Sequence, residues 1–214
     1  MKIAEILEKL YPDPQPTLDW NTPFEALIAV MLSAQCTDIK VNKVTAVLFK
    51  KANTPATILS IGQKRLSEII KPCGLFNAKS KAIIGTCKAL KGNNIPNTFT
   101  ELTALPGVGE KTAQVILAQV FNKPAFPVDT HIHRIANRLG ICRTKTATQT
   151  SDCLKKKVPQ KYWHNMHLQL IFHGRGTCTA RSPKCEECKL KEFCSYYRTR
   201  TPKAYTSSSS LGTE

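Results

Sequence analysis

Apolar residues recur at helical intervals along almost the whole chain. Ile3, Ile6, Leu7 and Leu10 stand at i, i+3, i+4 and i+7, and Leu66, Ile69 and Ile70, then Ile83, Ile84, Cys87 and Leu90, repeat the stripe. No stretch sustains the alternation of a strand. Phe24 to Leu32 is apolar nearly all round and follows Asn21-Thr22-Pro23, a cap and a pre-set first turn, so it predicts a helix at the centre of a domain. Pro55, Pro96, Pro106 and Pro127 sit near further segment starts, and the short connections predict a compact all-α bundle. Two prolines interrupt the pattern between Phe121 and Pro127, which marks a candidate domain boundary. From Arg198 to Glu214, basic residues, Pro202 and the run Ser207–Ser210 bury too little apolar area to order themselves, so a disordered tail is expected over 198–214.

With 214 residues, the chain has room for one large domain or two small ones. It lacks a run of about 18 apolar residues, and its first residues carry acids in place of an apolar signal core. A cytoplasmic, nucleoid-associated protein of bacterial type is expected, with no membrane partner. Lysine and arginine number 31 against 15 acids, a net charge of +16, which points to a polyanion as partner. The first hundred residues contribute +6 and the remainder +10, so the second half should carry more of that contact.

Two short segments carry chemistry. Leu105-Pro106-Gly107-Val108-Gly109-Glu110-Lys111 lies between helical stretches, Thr98–Ala104 before it and 113–121 after it. A turn of this kind at a helix N-terminus offers free backbone amides to an anion, which makes Leu105, Gly107, Val108 and Gly109 a candidate phosphate clamp. Cys178, Cys185, Cys188 and Cys194 follow a C-x6-C-x2-C-x5-C spacing that four thiolates use for either tetrahedral zinc or a cubane iron–sulfur cluster. Lys184, Lys189 and Lys191 decorate this loop and are placed to reach the phosphates of a polyanion. The other five cysteines, Cys36, Cys73, Cys87, Cys142 and Cys153, read as small core residues, and no disulfide framework is expected. His164 and His167 interleave with apolar residues and read as parts of a packing helix, as do Trp20 and Trp163 as packing residues.

Several motifs, in order, resemble the endonuclease III family of helix-hairpin-helix DNA glycosylases: residues 32–38 (LSAQCTD), 74–79 (GLFNAK), 105–113 (LPGVGEKTA), 128–131 (VDTH), 173–175 (HGR) and the cysteine loop. The resemblance spans about residues 3–197. It implies two helical domains with a DNA groove between them: a six-helix barrel with the hairpin at 16–123, and an iron–sulfur domain from 1–15 with 124–197. It implies a [4Fe-4S] cluster on the four cysteines, Lys111 as nucleophile with Asp129 as its acidic partner, and Gln35 and Leu75 as fillers of the gap left by an extruded base. The implied activity is that of a monomeric bifunctional DNA glycosylase and AP lyase acting on duplex DNA with an oxidised pyrimidine or an abasic site. An adenine-mismatch-type glycosylase is the nearest alternative, and Lys111 argues against it because those relatives typically lack a lysine there. A non-catalytic DNA-binding module or an iron–sulfur electron carrier would leave the joint occurrence of hairpin, lysine and aspartate unexplained. Glu110 departs from the basic residue that many relatives carry beside the lysine.

Overall fold

The structure is a computed structural model that describes residues 2–200. Its helices are α1 (Lys2–Leu10), α2 (Pro23–Ser33), α3 (Asp38–Phe49), α4 (Pro55–Ile70), α5 (Phe76–Ala89), α6 (Phe99–Thr103), α7 (Glu110–Gln119), α8 (Thr130–Leu139), α9 (Ala147–Lys157), α10 (Trp163–Gly176) and α11 (Ser195–Arg200). Among the described residues there is no strand, and no helix is long and apolar enough to cross a membrane. The protein is all-α.

Local signals set most helix starts. Thr22, Thr54, Thr98 and Thr146 each stand in extended backbone just before a helix and accept the amide three residues on, from Glu25, Thr57, Glu101 and Gln149 respectively. Each cap satisfies a donor that the helix itself leaves orphaned, an effect of about 1 kcal/mol. Pro23 and Pro55 then pre-set the first turns of α2 and α4. Within α4 the backbone leaves helical geometry at Gly62, with φ 72°, so that helix is two segments meeting at a kink.

Two cores result. The first centres on α2, whose residues Phe24 to Leu32 are all buried, and extends through Ala125. Glu25 is buried there because its carboxylate accepts the Asn21 amide at 2.7 Å. The second begins at Phe126 and gathers Ala4 and Leu7 of α1 with α8, α9 and α10. The change of core therefore falls inside the proline-interrupted segment, where the backbone cannot run on as helix.

Two expectations need correction. Cys142 and Cys153 are disulfide-bonded, Cα to Cα 6.1 Å, joining the segment after α8 to α9. A separation of 11 residues gives no hint of that pairing, which depends on how α9 folds back against α8. Residues 198–200 belong to α11, with the Arg200 guanidinium 5.4 Å from the Tyr196 ring centroid, so the expected tail does not begin at Arg198. Its remainder, 201–214, lies outside the described residues.

Candidate active site and cysteine loop

The hairpin joins α6 to α7 and keeps its side chains inward. Leu105 and Val108 are buried, and their amides bond within the turn, to Leu102 and Leu105 carbonyls at 3.1 Å each. Gly107 holds φ 78°, and a Cβ there would stand 2.5 Å from the Ala82 Cβ. Only glycine fits both demands. The Thr86 hydroxyl on α5 donates to the Pro106 carbonyl at 2.7 Å and pins the turn from behind. Gly109 caps α7 with no side chain, so the helix's first-turn amides have no internal cap. The expected clamp is therefore narrowed: the Leu105 and Val108 amides are taken up within the turn, and the hairpin offers an anion the uncapped first turn of α7, at the positive end of the helix dipole.

Lys111 is exposed in the first turn of α7, as its second residue. It lines a cleft of about 150 Å³ together with Asp129 and with residues of α2, α3 and α10, among them Ser33, Asp38, His167, Phe172 and Arg175. The cleft thus draws walls from both cores. Three polar links tie them together: the Arg175 guanidinium donates to Asp38 at 2.8 Å, the Ser151 hydroxyl of α9 to Gln114 of α7 at 3.2 Å, and the Thr148 hydroxyl to Glu110 at 3.3 Å. Glu110, the departure beside the lysine, is thereby engaged by α9.

Asp129 caps α8. One carboxylate oxygen accepts the Ile132 amide at 2.9 Å and the other sits 2.9 Å from His131 Nδ1. Burial pushes its pKa up, but the Ile132 amide, the His131 ring and the Lys111 charge outweigh it and hold the carboxyl below its ordinary range. An acid so held is ionised at neutral pH. The capping reading and the cleft reading are both true of this side chain.

Sequence reasoning passed over His167, which reads as a packing residue on α10. It is 3% exposed and lines the cleft, and its Nδ1 has no hydrogen-bond partner among the described residues. Burial pulls its pKa down to about 4 against the opposing pull of Asp129, so the ring is neutral at physiological pH. Its i+3 relation to His164 is visible in the sequence, but which helix face meets the cleft is not.

Gln35 and Leu75 are both exposed, at φ 55° and 48°. Leu75 is 56% exposed and belongs to no core. Among the loop lysines, Lys184 and Lys189 are exposed, whereas Lys191 folds back to donate to the Glu186 carbonyl at 3.0 Å.

Cys178, Cys185, Cys188 and Cys194 line one small cavity with His173 and Arg138. Four thiols around one small cavity are a donor set for a group that takes four sulfur ligands, a cubane iron–sulfur cluster among them. Two arginines of α8 hold the loop that carries them. Arg134 donates to the Cys178 and Gly174 carbonyls, and Arg138 to the Thr179 and Ala180 carbonyls at 2.7 and 2.8 Å and toward the Cys178 sulfur at 3.4 Å. His173 bridges from the Tyr11 hydroxyl, 3.2 Å from Nδ1, to the Cys188 sulfur, 3.5 Å from Nε2. Neither arginine was marked by the sequence pattern, since α8 reads only as an amphipathic helix.

Residues 28–160 match the family model described as HhH-GPD superfamily base excision DNA repair protein, and residues 178–194 match the iron–sulfur binding domain of endonuclease III. The chain is 45% identical over 199 residues to endonuclease III of Rickettsia conorii, covering 92% of this chain and 95% of that protein. With endonuclease III of Escherichia coli K12 it shares 44% over 201 residues, 91% of this chain and 95% of the other. Among solved structures it resembles a non-covalent endonuclease III–DNA complex, with TM-score 0.88 and 39% identity over 93% of this chain and 95% of that one. A trapped endonuclease III–DNA covalent intermediate matches with TM-score 0.87 and 39% identity, over 92% and 94% of the two chains.

Proposed function

Since the chain belongs to the HhH-GPD superfamily of base excision DNA repair proteins, in its endonuclease III family, we propose that it excises oxidised pyrimidines from duplex DNA and cleaves the resulting abasic site. The observation that carries this reading is the placement of Lys111 and the ionised Asp129 in one cleft beside the amide-presenting hairpin. The barrel at 16–123 and the iron–sulfur domain at 1–15 with 124–197 then grip the duplex from either side. A single chain completes the site, so the enzyme acts as a monomer, in the bacterial cytoplasm at the nucleoid.

The chemistry follows from the residue types. The hairpin amides hold the phosphate backbone while the lesion leaves the stack, since no side chain reaches a stacked sugar carbon. The Lys111 amine attacks C1′ through its lone pair, the glycosidic C–N bond breaks, and the base departs with the bonding pair and with the amine's proton, relayed to it by Asp129. Asp129 accepts the proton released by the amine and stabilises positive charge on the sugar. Ring opening converts the C1′ adduct to an imine, which acidifies the C2′ proton. Loss of that proton expels the 3′ phosphate, and water releases the enzyme. An oxygen nucleophile forms no imine, which is why a lysine is needed for strand cleavage.

Gln35 and Leu75 fill the vacancy, the amide against the orphaned partner base and the apolar chain in the unstacked step. Their exposure and left-handed backbone support that use. Cys178, Cys185, Cys188 and Cys194 would hold the [4Fe-4S] cluster through their thiolates, and the cluster would close the loop that carries them. Lys184 and Lys189, exposed on that loop, add phosphate contact.

Incubation with abasic and thymine-glycol duplexes, with and without borohydride, tests the whole scheme. Base release, strand scission and a borohydride-trapped protein–DNA adduct are expected together. Base release without scission or adduct would assign a monofunctional glycosylase instead.

A further inference from the structure

Two turns of the first core end in strained residues. Gln35 follows α2 and Leu75 precedes α5, both non-glycine residues at positive φ, 55° and 48°. Such conformations cost on the order of 1 kcal/mol each and persist only where the surroundings over-determine them. Those surroundings converge on a single atom. Lys79 Nζ donates to the Leu32 carbonyl at 2.9 Å and to the Cys73 carbonyl at 2.9 Å. Leu32 lies three residues before Gln35 and Cys73 two before Leu75. The lysine is 8% exposed. Sinking an ammonium between helices is unfavourable unless it is well bonded, and packing alone would be served as well by methionine or leucine. The Cys36 and Cys73 thiols meet beside the same bridge.

We propose that Lys79 is a positioning residue that straps the Gln35 turn to the Leu75 turn, so that both side chains enter the duplex at a set spacing. The proposal rests on the gap-filling reading of Gln35 and Leu75. An orphaned base and the unstacked step beside it are rigidly related in a duplex, and two independently mobile probes would each lose conformational freedom on entry. A strap removes that cost before DNA is met. The nucleophile is untouched, because Lys79 lines no part of the cleft that holds Lys111.

The test compares two abasic substrates. A single strand has no orphaned base to fill against, whereas a duplex does. Lys79→Met should lower kcat/KM for cleavage of an abasic duplex about tenfold, the scale of a lost charged hydrogen bond, while cleavage of the single-stranded abasic oligonucleotide stays within about twofold. Adding Lys79→Met to Gln35→Ala/Leu75→Ala should produce little further duplex loss, because the strap then has nothing to position. Equal losses on both substrates, or no loss on either, overturn the proposal. If Lys79→Met melts too low to assay, Lys79→Gln, which keeps an amide donor, is read in the same pair of assays. A duplex-specific defect in Gln35→Ala/Leu75→Ala that Lys79→Met does not share overturns the strap alone. Full duplex activity in Gln35→Ala/Leu75→Ala defeats the gap-filling reading and the strap with it.

Discussion

The hairpin and the cysteine loop are built on opposite plans. At the hairpin, Leu105 and Val108 turn inward and the backbone is offered to solvent, with Thr86 bracing it from behind. In the cysteine loop the side chains face inward around a common cavity and the backbone carbonyls are taken up by Arg134 and Arg138. The first arrangement suits a partner that arrives and leaves, since amides at a helix N-terminus bind any phosphate without rearranging. The second suits a resident group, since every carbonyl of the loop that is tied to α8 makes opening it more costly. Exposure follows the same division: Lys111 stands open to solvent, while the sulfurs are half-buried.

Breaking either region should therefore fail in a different way. The largest effect is expected for Lys111→Gln. Borohydride trapping on an abasic duplex should fall by at least about 1,000-fold while duplex affinity survives, because the hairpin amides remain. Trapping at the wild-type level would assign the adduct to another amine.

Cys188→Ser should do the reverse. Iron content, order in the loop and DNA affinity should drop together, with residual protein still able to form some adduct at high DNA concentration. Iron and sulfide analysis, read beside trapping, checks it; intact iron with lost chemistry would erase the contrast between the two regions.

Asp129→Asn sharpens the comparison within the cleft. Asparagine caps helices about as well as aspartate, so the melting temperature should change little, while the negative charge is lost. Base excision should slow by about 100-fold and cleavage of a preformed abasic site by less, since the free aldehyde needs no base expulsion. Equal slowing of both would place the carboxylate in the elimination step.

The smallest effect concerns His167. Its folded pKa, about 4, lies below the ordinary 6.5, so the unfolded chain binds a proton in this interval that the folded protein refuses. Stability should fall as pH drops from 6.5 toward 4 and level off below. Asp129, whose pKa is also depressed, adds loss only at more acid pH, below the ordinary carboxylate range. His167→Met should flatten the upper part of that slope in thermal melts across pH 4 to 7. An unchanged slope would show that the imidazole is not the group excluded from protonation.

Much of this protein was legible without coordinates because its signals are short-range. Threonine caps act three residues ahead, the all-apolar α2 reads as a central helix from its own composition, and the hairpin carries its glycines and lysine in one stretch. Asp129 announces a helix start through the same rule that later sets its carboxylate geometry. Four cysteines within 17 residues need only spacing to declare a metal-binding loop.

Tertiary packing decided the rest. Arg134 and Arg138 reach carbonyls 40 to 44 residues away, and the amphipathic pattern of α8 records which residues are polar but not what they meet. His167 belongs to a helix whose apolar neighbours imply packing, and only the approach of α10 to Lys111 and Asp129 turns its buried face toward the cleft. Leu75 is an apolar residue whose left-handed backbone holds it in solvent, an exposure that its residue type alone does not reveal. Lys79 looks like any surface lysine until α2 and α5 bring the Leu32 and Cys73 carbonyls to the same ammonium. The dividing line is contact range: backbone preferences and caps are set by neighbours along the chain, whereas the surroundings of a side chain are set by whichever helices the burial of apolar faces brings together.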